Sequence, residues 1–203
     1  MAWLNSECRY GALTVALHWL TLALLVVIYV CMEFRGYFPK GSDVREGMKA
    51  WHFMLGLTVP MLVALRLVAR AVGQTPLITP PSAVWQRRLA GAMHIALYVF
   101  MFGMPMLGWL TLSAAGKPIP FFGLELPAMI GADKALSRQI LAIHESGAIL
   151  GYGIIGLHAG AALYHHYFLR DDTLQRLLPL RPWPVVRPGR AREIFEWQSH
   201  HAA

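Results

Sequence analysis

Charged side chains are scarce in this 203-residue chain: Asp, Glu, Lys and Arg together make up 14% of it, against 56% hydrophobic residues. The mean hydropathy of +0.45 is far above that of a water-soluble domain, which makes a bilayer the first environment to test. Cysteine is nearly absent. Cys8 and Cys31 are the two present, and with a rise of about 1.5 Å per helical residue they stand roughly 35 Å apart, so they cannot pair with each other. No small-residue cleavage site follows the first apolar stretch before Glu33 and Arg35, so that stretch is expected to stay in the mature chain. There is no internal repeat and no second domain.

What is present is apolar length. A membrane-crossing helix needs about 20 largely apolar residues, and four stretches meet that requirement, roughly 12–33, 48–72, 87–113 and 138–168. The fold class expected is all-α: an integral membrane four-helix bundle with antiparallel transmembrane helices. The connection at 35–47 carries Gly and Pro punctuation (GYFPKGSD), and 73–82 (GQTPLITPPS) is Pro-rich and expected to be extended. The connection at 114–137 contains the apolar run IPFFGLELPAMI, too short to span and expected to lie along the interface or to cap the bundle. After Arg170 the chain is Pro- and Arg-rich and expected to be peripheral or disordered. The organisation expected is a transmembrane domain over 1–180 and a cytoplasmic tail over 181–203.

The net charge of +7 is distributed in a way that speaks for a membrane rather than a nucleic acid. With both termini on one side, that side holds eleven basic and five acidic residues, and the other holds seven and six. The excess marks the terminal side as cytoplasmic.

Nine histidines occur, and His18, His52, His94, His144, His158, His165 and His166 fall within or at the ends of the apolar stretches, where ionisable groups are costly and usually functional. His144 and His158 are 14 positions apart, so they share a face within about 40° and differ in depth by roughly 21 Å. His18 on the first helix matches the depth of His158, and His52 on the second matches His144. Two imidazole pairs, one near each membrane face, are what two bis-histidine b haems stacked along a bundle require. No C-x-x-C-H sequence exists, so such haems would lack thioether links. His94, on the third helix near the cytoplasmic side, is expected to have a packing or haem-edge role, with replacement of His18 as a ligand left open.

Arg66 lies 14 positions after His52, on nearly the same face at the depth of the inner pair, and with Arg70 it is a candidate partner for haem propionates; a snorkelling arginine is the alternative. Gly147, Gly151, Gly153, Gly156, Ala159 and Gly160 leave room for a flat macrocycle or for a close helix contact.

The segments ALHWL around His18, MEFRGYFPK at 32–40, WHFMLGL around His52 and HESGAILGYGIIGLHAGAALYHHYF from His144 to Phe168 resemble the bacterial di-haem cytochrome b561 family, over about residues 10–180. EFRGYFP, and GLHAGAALYHHYF followed by DDTL, are most similar to its superoxide-oxidising branch. The resemblance implies His18 and His158 as iron ligands of the inner haem and His52 and His144 of the outer one. It also implies oxidation of superoxide to dioxygen at the periplasmic face of the bacterial inner membrane, with the electrons passing to ubiquinone.

Arg35, Lys49 and Arg138, at helix ends near the outer pair, are candidates for drawing in the superoxide anion. His165, seven positions after His158 and about 10 Å nearer the cytoplasm, is a candidate proton donor to quinone, with Arg87 or Arg88 nearby. The partners expected are superoxide, ubiquinone and membrane lipid, with no nucleic acid. A homo-oligomer, or a role as the haem subunit of a dehydrogenase or hydrogenase, stays open.

Overall fold

The computed structural model describes residues 10–178 apart from 75, 77 and 81, together with residues 3, 5 and 6. Four helices run through it: α1 (Ala12–Phe34), α2 (Asp43–Val72), α3 (Val84–Ala114) and α4 (Lys134–Tyr164). Each is long and apolar enough to cross a membrane, as the hydropathy pattern predicts. We call the end holding the start of α1 and the close of α4 proximal, and the opposite end distal.

Three helices begin three to five residues earlier than their apolar stretches. The extra turns of α2 and α4 are capped by a polar side chain. Ser42 Oγ accepts the Arg45 N–H ahead of α2, and Asp133 Oδ1 accepts the N–H groups of Ala135 and Leu136 ahead of α4, satisfying amide groups that the helix leaves without partners. Inside the helices, hydroxyls turn back onto their own backbone: Thr21 to Leu17, Thr58 to Met54, Thr111 to Leu107 and Ser113 to Trp109. The hydrogens of these four hydroxyls are thereby kept from facing hydrocarbon.

The helices pack unevenly. Helix α1 lies on α2, α2 on α3 and α3 on α4, whereas the backbones of α1 and α2 stand off from α4. Glycine sets the α3–α4 contact. A Cβ on Gly147 would come within 2.6 Å of Met104 Sδ, and one on Gly151 would collide with the Phe100 ring and the Tyr29 hydroxyl. By contrast, Gly153, Gly156 and Gly160 have nothing within 4 Å of that position, so close packing accounts for only part of the small-residue pattern. Gly151→Ala is expected to destabilise the bundle by about 1–3 kcal/mol through overpacking, while Gly153→Ala is neutral; thermal unfolding midpoints of the two purified variants check this.

At mid-depth Ile28, Val59, Val63 and Met101 form a buried apolar cluster. The distal end is closed by a hairpin of β1 (Ile119–Phe121) and β2 (Leu124–Leu126), antiparallel with Ile119 opposite Leu126. Its two-residue turn, Phe122–Gly123, has positive φ at both positions (48° and 86°), the conformation a tight hairpin requires. Ile119 is 1% exposed and packs with Leu57 and Leu112. Of the two expectations for this apolar run, capping of the bundle is the one observed.

One expectation is corrected at the proximal end. Residues 171–178, read as the start of a peripheral or disordered tail, form a docked clasp. Asp172 Oδ1 accepts the Thr79 N–H (3.0 Å) and Arg176 Nη2 (2.7 Å), and Arg176 Nη1 donates to the Pro76 carbonyl (2.9 Å). Asp172 N–H donates to the Thr79 carbonyl, and the Trp19 indole donates to the Leu177 carbonyl. The Pro-rich loop that was expected to be extended supplies unpaired backbone groups, and the clasp satisfies them. The expected tail at 181–203 lies outside the described residues.

Candidate functional site

The gap between α4 and the α1–α2 pair is where the histidines meet. At the distal level, His52 of α2 faces His144 of α4 with ring centres 6.2 Å apart. At the proximal level, His18 of α1 faces His158 of α4 at 6.4 Å. The matched depths expected from helical geometry are therefore present as facing pairs. Two imidazoles sharing one iron need metal–nitrogen bonds of about 2 Å on each side, which places their ring centres at this kind of separation. Among the described residues no group of three or more His, Cys, Asp or Glu side chains gathers as a metal cage.

The ring orientations carry further information. His52 Nδ1 lies 3.1 Å from the Ile28 carbonyl. A carbonyl only accepts, so Nδ1 carries the proton and Nε2 is left with the lone pair a metal needs. Nδ1 of His144 faces the Met104 carbonyl without closing a full hydrogen bond, and Nδ1 of His18 is buried with no partner.

Between His52 and His144 opens a cavity of about 420 Å³, lined by Leu25, Ile28, Phe53, Leu57, Met101 and Met104 among others. Its size falls in the range of small-molecule and cofactor pockets, about 300–1,000 Å³, and its lining is mostly apolar, as theirs is. Gly56 faces this cavity with open space beside its Cα, and a Cβ on Gly108, also in the wall, would touch the His144 ring at 3.5 Å. Facing imidazoles, a lone pair directed away from a backbone bond and an apolar slot fit a b haem.

The remaining candidates divide. Arg35 lines the cavity wall and is half-buried. Lys49 is not in the wall and is tied to Glu46 by a 2.7 Å ion pair, while Arg138 is exposed on the first turn of α4. Of the three, Arg35 alone is in that wall. Arg66 lies within electrostatic reach of His18, His94 and His158, in keeping with its expected depth. Arg70 is exposed, near His94 and Arg66. His94, on α3, has its ring centre 5.8 Å from that of His158.

His165 opens a wide π turn, His165–Leu169, that ends α4, and its Nδ1 lies 2.5 Å from Asp171 Oδ2. Arg87 instead donates to the Ser82 carbonyl, and Arg88 is exposed; neither is hydrogen-bonded to His165. Sequence reasoning missed Asp171 and the clasp that holds it. It also missed the distal rim, where the Tyr152 hydroxyl donates to Glu33 Oε1 at 2.7 Å and the Tyr29 hydroxyl to the Ala148 carbonyl at 2.9 Å. Tyr29, Glu33 and Tyr152 are all in the cavity wall. Helical spacing from His144 marks Tyr152, eight positions on, as a candidate for the same face.

Comparison with known proteins agrees with this geometry. The family model described as prokaryotic cytochrome b561 matches residues 9–180. Cytochrome b561 homolog 1 of Escherichia coli (strain K12) is 38% identical over 173 residues, covering 85% of this chain and 98% of that protein. The probable superoxide oxidase CybB of Yersinia pestis is 33% identical over 171 residues, 84% of this chain and 96% of that protein. Cytochrome b561 homolog 2 of Escherichia coli (strain K12) is 29% identical over 186 residues, 88% and 95% respectively. With its four membrane-length helices and paired histidines, the chain belongs to the prokaryotic cytochrome b561 family of integral membrane, haem b electron-transfer proteins.

Proposed function

We propose that this protein oxidises superoxide at its distal face and delivers the electrons to ubiquinone at its proximal end, the net reaction taking two superoxide anions, one quinone and two protons to two dioxygen molecules and one quinol. The observation that carries the reading is the pair of imidazole pairs, His52 with His144 and His18 with His158, set at the two ends of one bundle. When bound between these pairs, haem supplies reversible one-electron chemistry at two depths. His52, held by the Ile28 carbonyl, presents a fixed Nε2, and Arg66 supplies positive charge beside the proximal pair for a propionate or a reduced centre.

The orientation that fits puts the distal face in the periplasm of a bacterial inner membrane and both termini in the cytoplasm, because the terminal side holds the larger basic excess. Superoxide is then met on the face where the cavity wall carries Arg35. Removing one electron from superoxide yields neutral dioxygen and calls for no acid or base there, so proton handling belongs at the quinone end. The 33% identity to a probable superoxide oxidase supports this substrate over others open to the family.

The test is haem reduction in the purified protein by enzymatically generated superoxide, with and without ubiquinone-1. Reduction followed by rapid reoxidation on adding quinone supports the reading. Haem that superoxide leaves oxidised sinks it and favours a relay subunit for a dehydrogenase or hydrogenase, which would co-purify with its partner. Electrostatic capture adds a prediction: Arg35→Glu lowers the superoxide reduction rate about tenfold at low ionic strength, and the gap narrows as salt screens the charge. Stopped-flow rates at two salt concentrations measure it.

A further inference from the structure

We propose that Asp171 is a positioning residue for quinone protonation, fixing His165 so that its Nε2 is the proton-bearing atom presented to the quinone; this rests on the assignment of the quinone to the proximal end. Past the π turn, Arg170 adopts a left-handed conformation (φ 54°) and its N–H bonds the His165 carbonyl. That reversal carries Asp171 back beneath His165, six positions earlier, a spacing at which an uninterrupted helix would place the two side chains on different faces.

Asp171 is then held independently of the histidine's ring. Its backbone N–H also reaches the His165 carbonyl (3.2 Å), and its Oδ1 accepts the Thr173 N–H (2.9 Å). The next residue, Asp172, is bound to Thr79 and Arg176. Oδ2 is left for His165 Nδ1. Asp171 is 3% exposed. Burial pushes its carboxyl up, but hydrogen bonds from His165 and Thr173 outweigh that and hold it below the ordinary carboxylate range. A carboxylate locked onto one ring nitrogen settles the tautomer and leaves the other nitrogen for chemistry, the logic of histidines oriented by a carboxylate in catalytic and metal sites.

The chemistry balances. Each quinone receives two electrons, one from each of two superoxide anions, and two protons. In the protonated ring both nitrogens donate: Nδ1–H is committed to Asp171, and Nε2–H delivers one proton to a quinone carbonyl oxygen, its N–H bond breaking as the O–H bond forms. Solvent supplies the second proton to the quinol and a further one that reprotonates Nε2 and restores the imidazolium, so two protons are taken from solvent per turnover. The clasp that orients His165 thus also covers the proximal end of α1, since Leu177 accepts from Trp19, the neighbour of His18.

Steady-state reduction of ubiquinone-1 by superoxide in the full-length, haem-loaded protein tests the proposal through His165→Gln, Asp171→Asn, Asp171→Glu and the His165→Gln/Asp171→Asn double variant. Asp171→Asn is expected to lower kcat about 10- to 100-fold, the size of effect seen when such orienting partners are lost. KM and the haem spectrum stay unchanged, Asp171→Glu recovers most of the rate, and the double variant is no slower than His165→Gln alone. A full rate in Asp171→Asn alongside a slow His165→Gln overturns the positioning role and leaves the quinone site standing. Loss of haem, or a defect in Asp171→Asn that adds to that of His165→Gln, also overturns it, marking Asp171 as structural. A full rate in His165→Gln overturns the quinone assignment itself, and the proposal with it.

Discussion

His144→Ala is expected to leave a folded, membrane-inserted protein that binds one haem per chain instead of two and reduces quinone only at background rate. Four features make the effect large. His144 stands across the α2–α4 gap from His52, so under the proposed assignment its loss would leave a haem there with one holding imidazole instead of two. The cavity it faces is mostly apolar, with no third imidazole placed to take over. Apolar walls alone would not retain a haem against exchange. And because the distal and proximal pairs act in series, losing one centre breaks the whole path rather than halving its rate. The pyridine haemochrome absorbance per chain, read beside superoxide-driven quinone reduction, checks both halves of the claim. Two haems per chain in the variant would remove His144 from the ligand set. His52→Ala is expected to behave alike, since its partner is then the one left unopposed.

How far this site could be read from the chain alone depends on the kind of pattern each part uses. The four helices and the depth matching of His18 with His158 and His52 with His144 follow from regular geometry, 1.5 Å and 100° per residue, along uninterrupted segments. Helix starts were less legible because the capping residues Ser42 and Asp133 sit in polar turns outside the apolar windows. The distal hairpin was hidden in a run whose hydrophobicity suited a membrane interface equally well; the Phe122–Gly123 turn that makes it a hairpin is a local backbone event.

The clasp was the least legible element. Its contacts join Asp172 to Thr79 and Arg176 to Pro76, about a hundred positions apart, and no periodicity links such residues. Its composition, polar and followed by Pro and Arg, resembles that of a disordered tail. The His165–Asp171 pair shows the same limit. It exists because a π turn and a left-handed residue interrupt the helix, and helical spacing is the rule that such an interruption suspends. Gly147 and Gly151 were visible as small residues, but whether they admit a cofactor or a neighbouring helix depends on Met104 and Phe100, which only the packed structure supplies.

The proximal level poses the sharper choice, since both His18 and His94 approach His158, at 6.4 and 5.8 Å between ring centres. Distance alone would favour His94. Helix packing favours His18 instead. A haem between two axial imidazoles needs a slot as thick as its plane between the helices that bear them, and α3 lies directly on α4, drawn in by Gly147 and Gly151. Helix α1 stands off from α4, and His18 faces His158 across that opening with its Nδ1 buried and unpartnered. The distal pair follows the same pattern, with His52 on α2 and His144 on α4. His18→Ala is therefore expected to lose the proximal haem and all electron transfer to quinone, while His94→Ala keeps two haems per chain and shifts only the reduction potential of the one beside it, through the loss of a nearby polar ring. Redox titration followed in the visible band separates the cases: one haem missing in His18→Ala against two retained in His94→Ala. The opposite pattern would make α3 the ligand-bearing partner of α4.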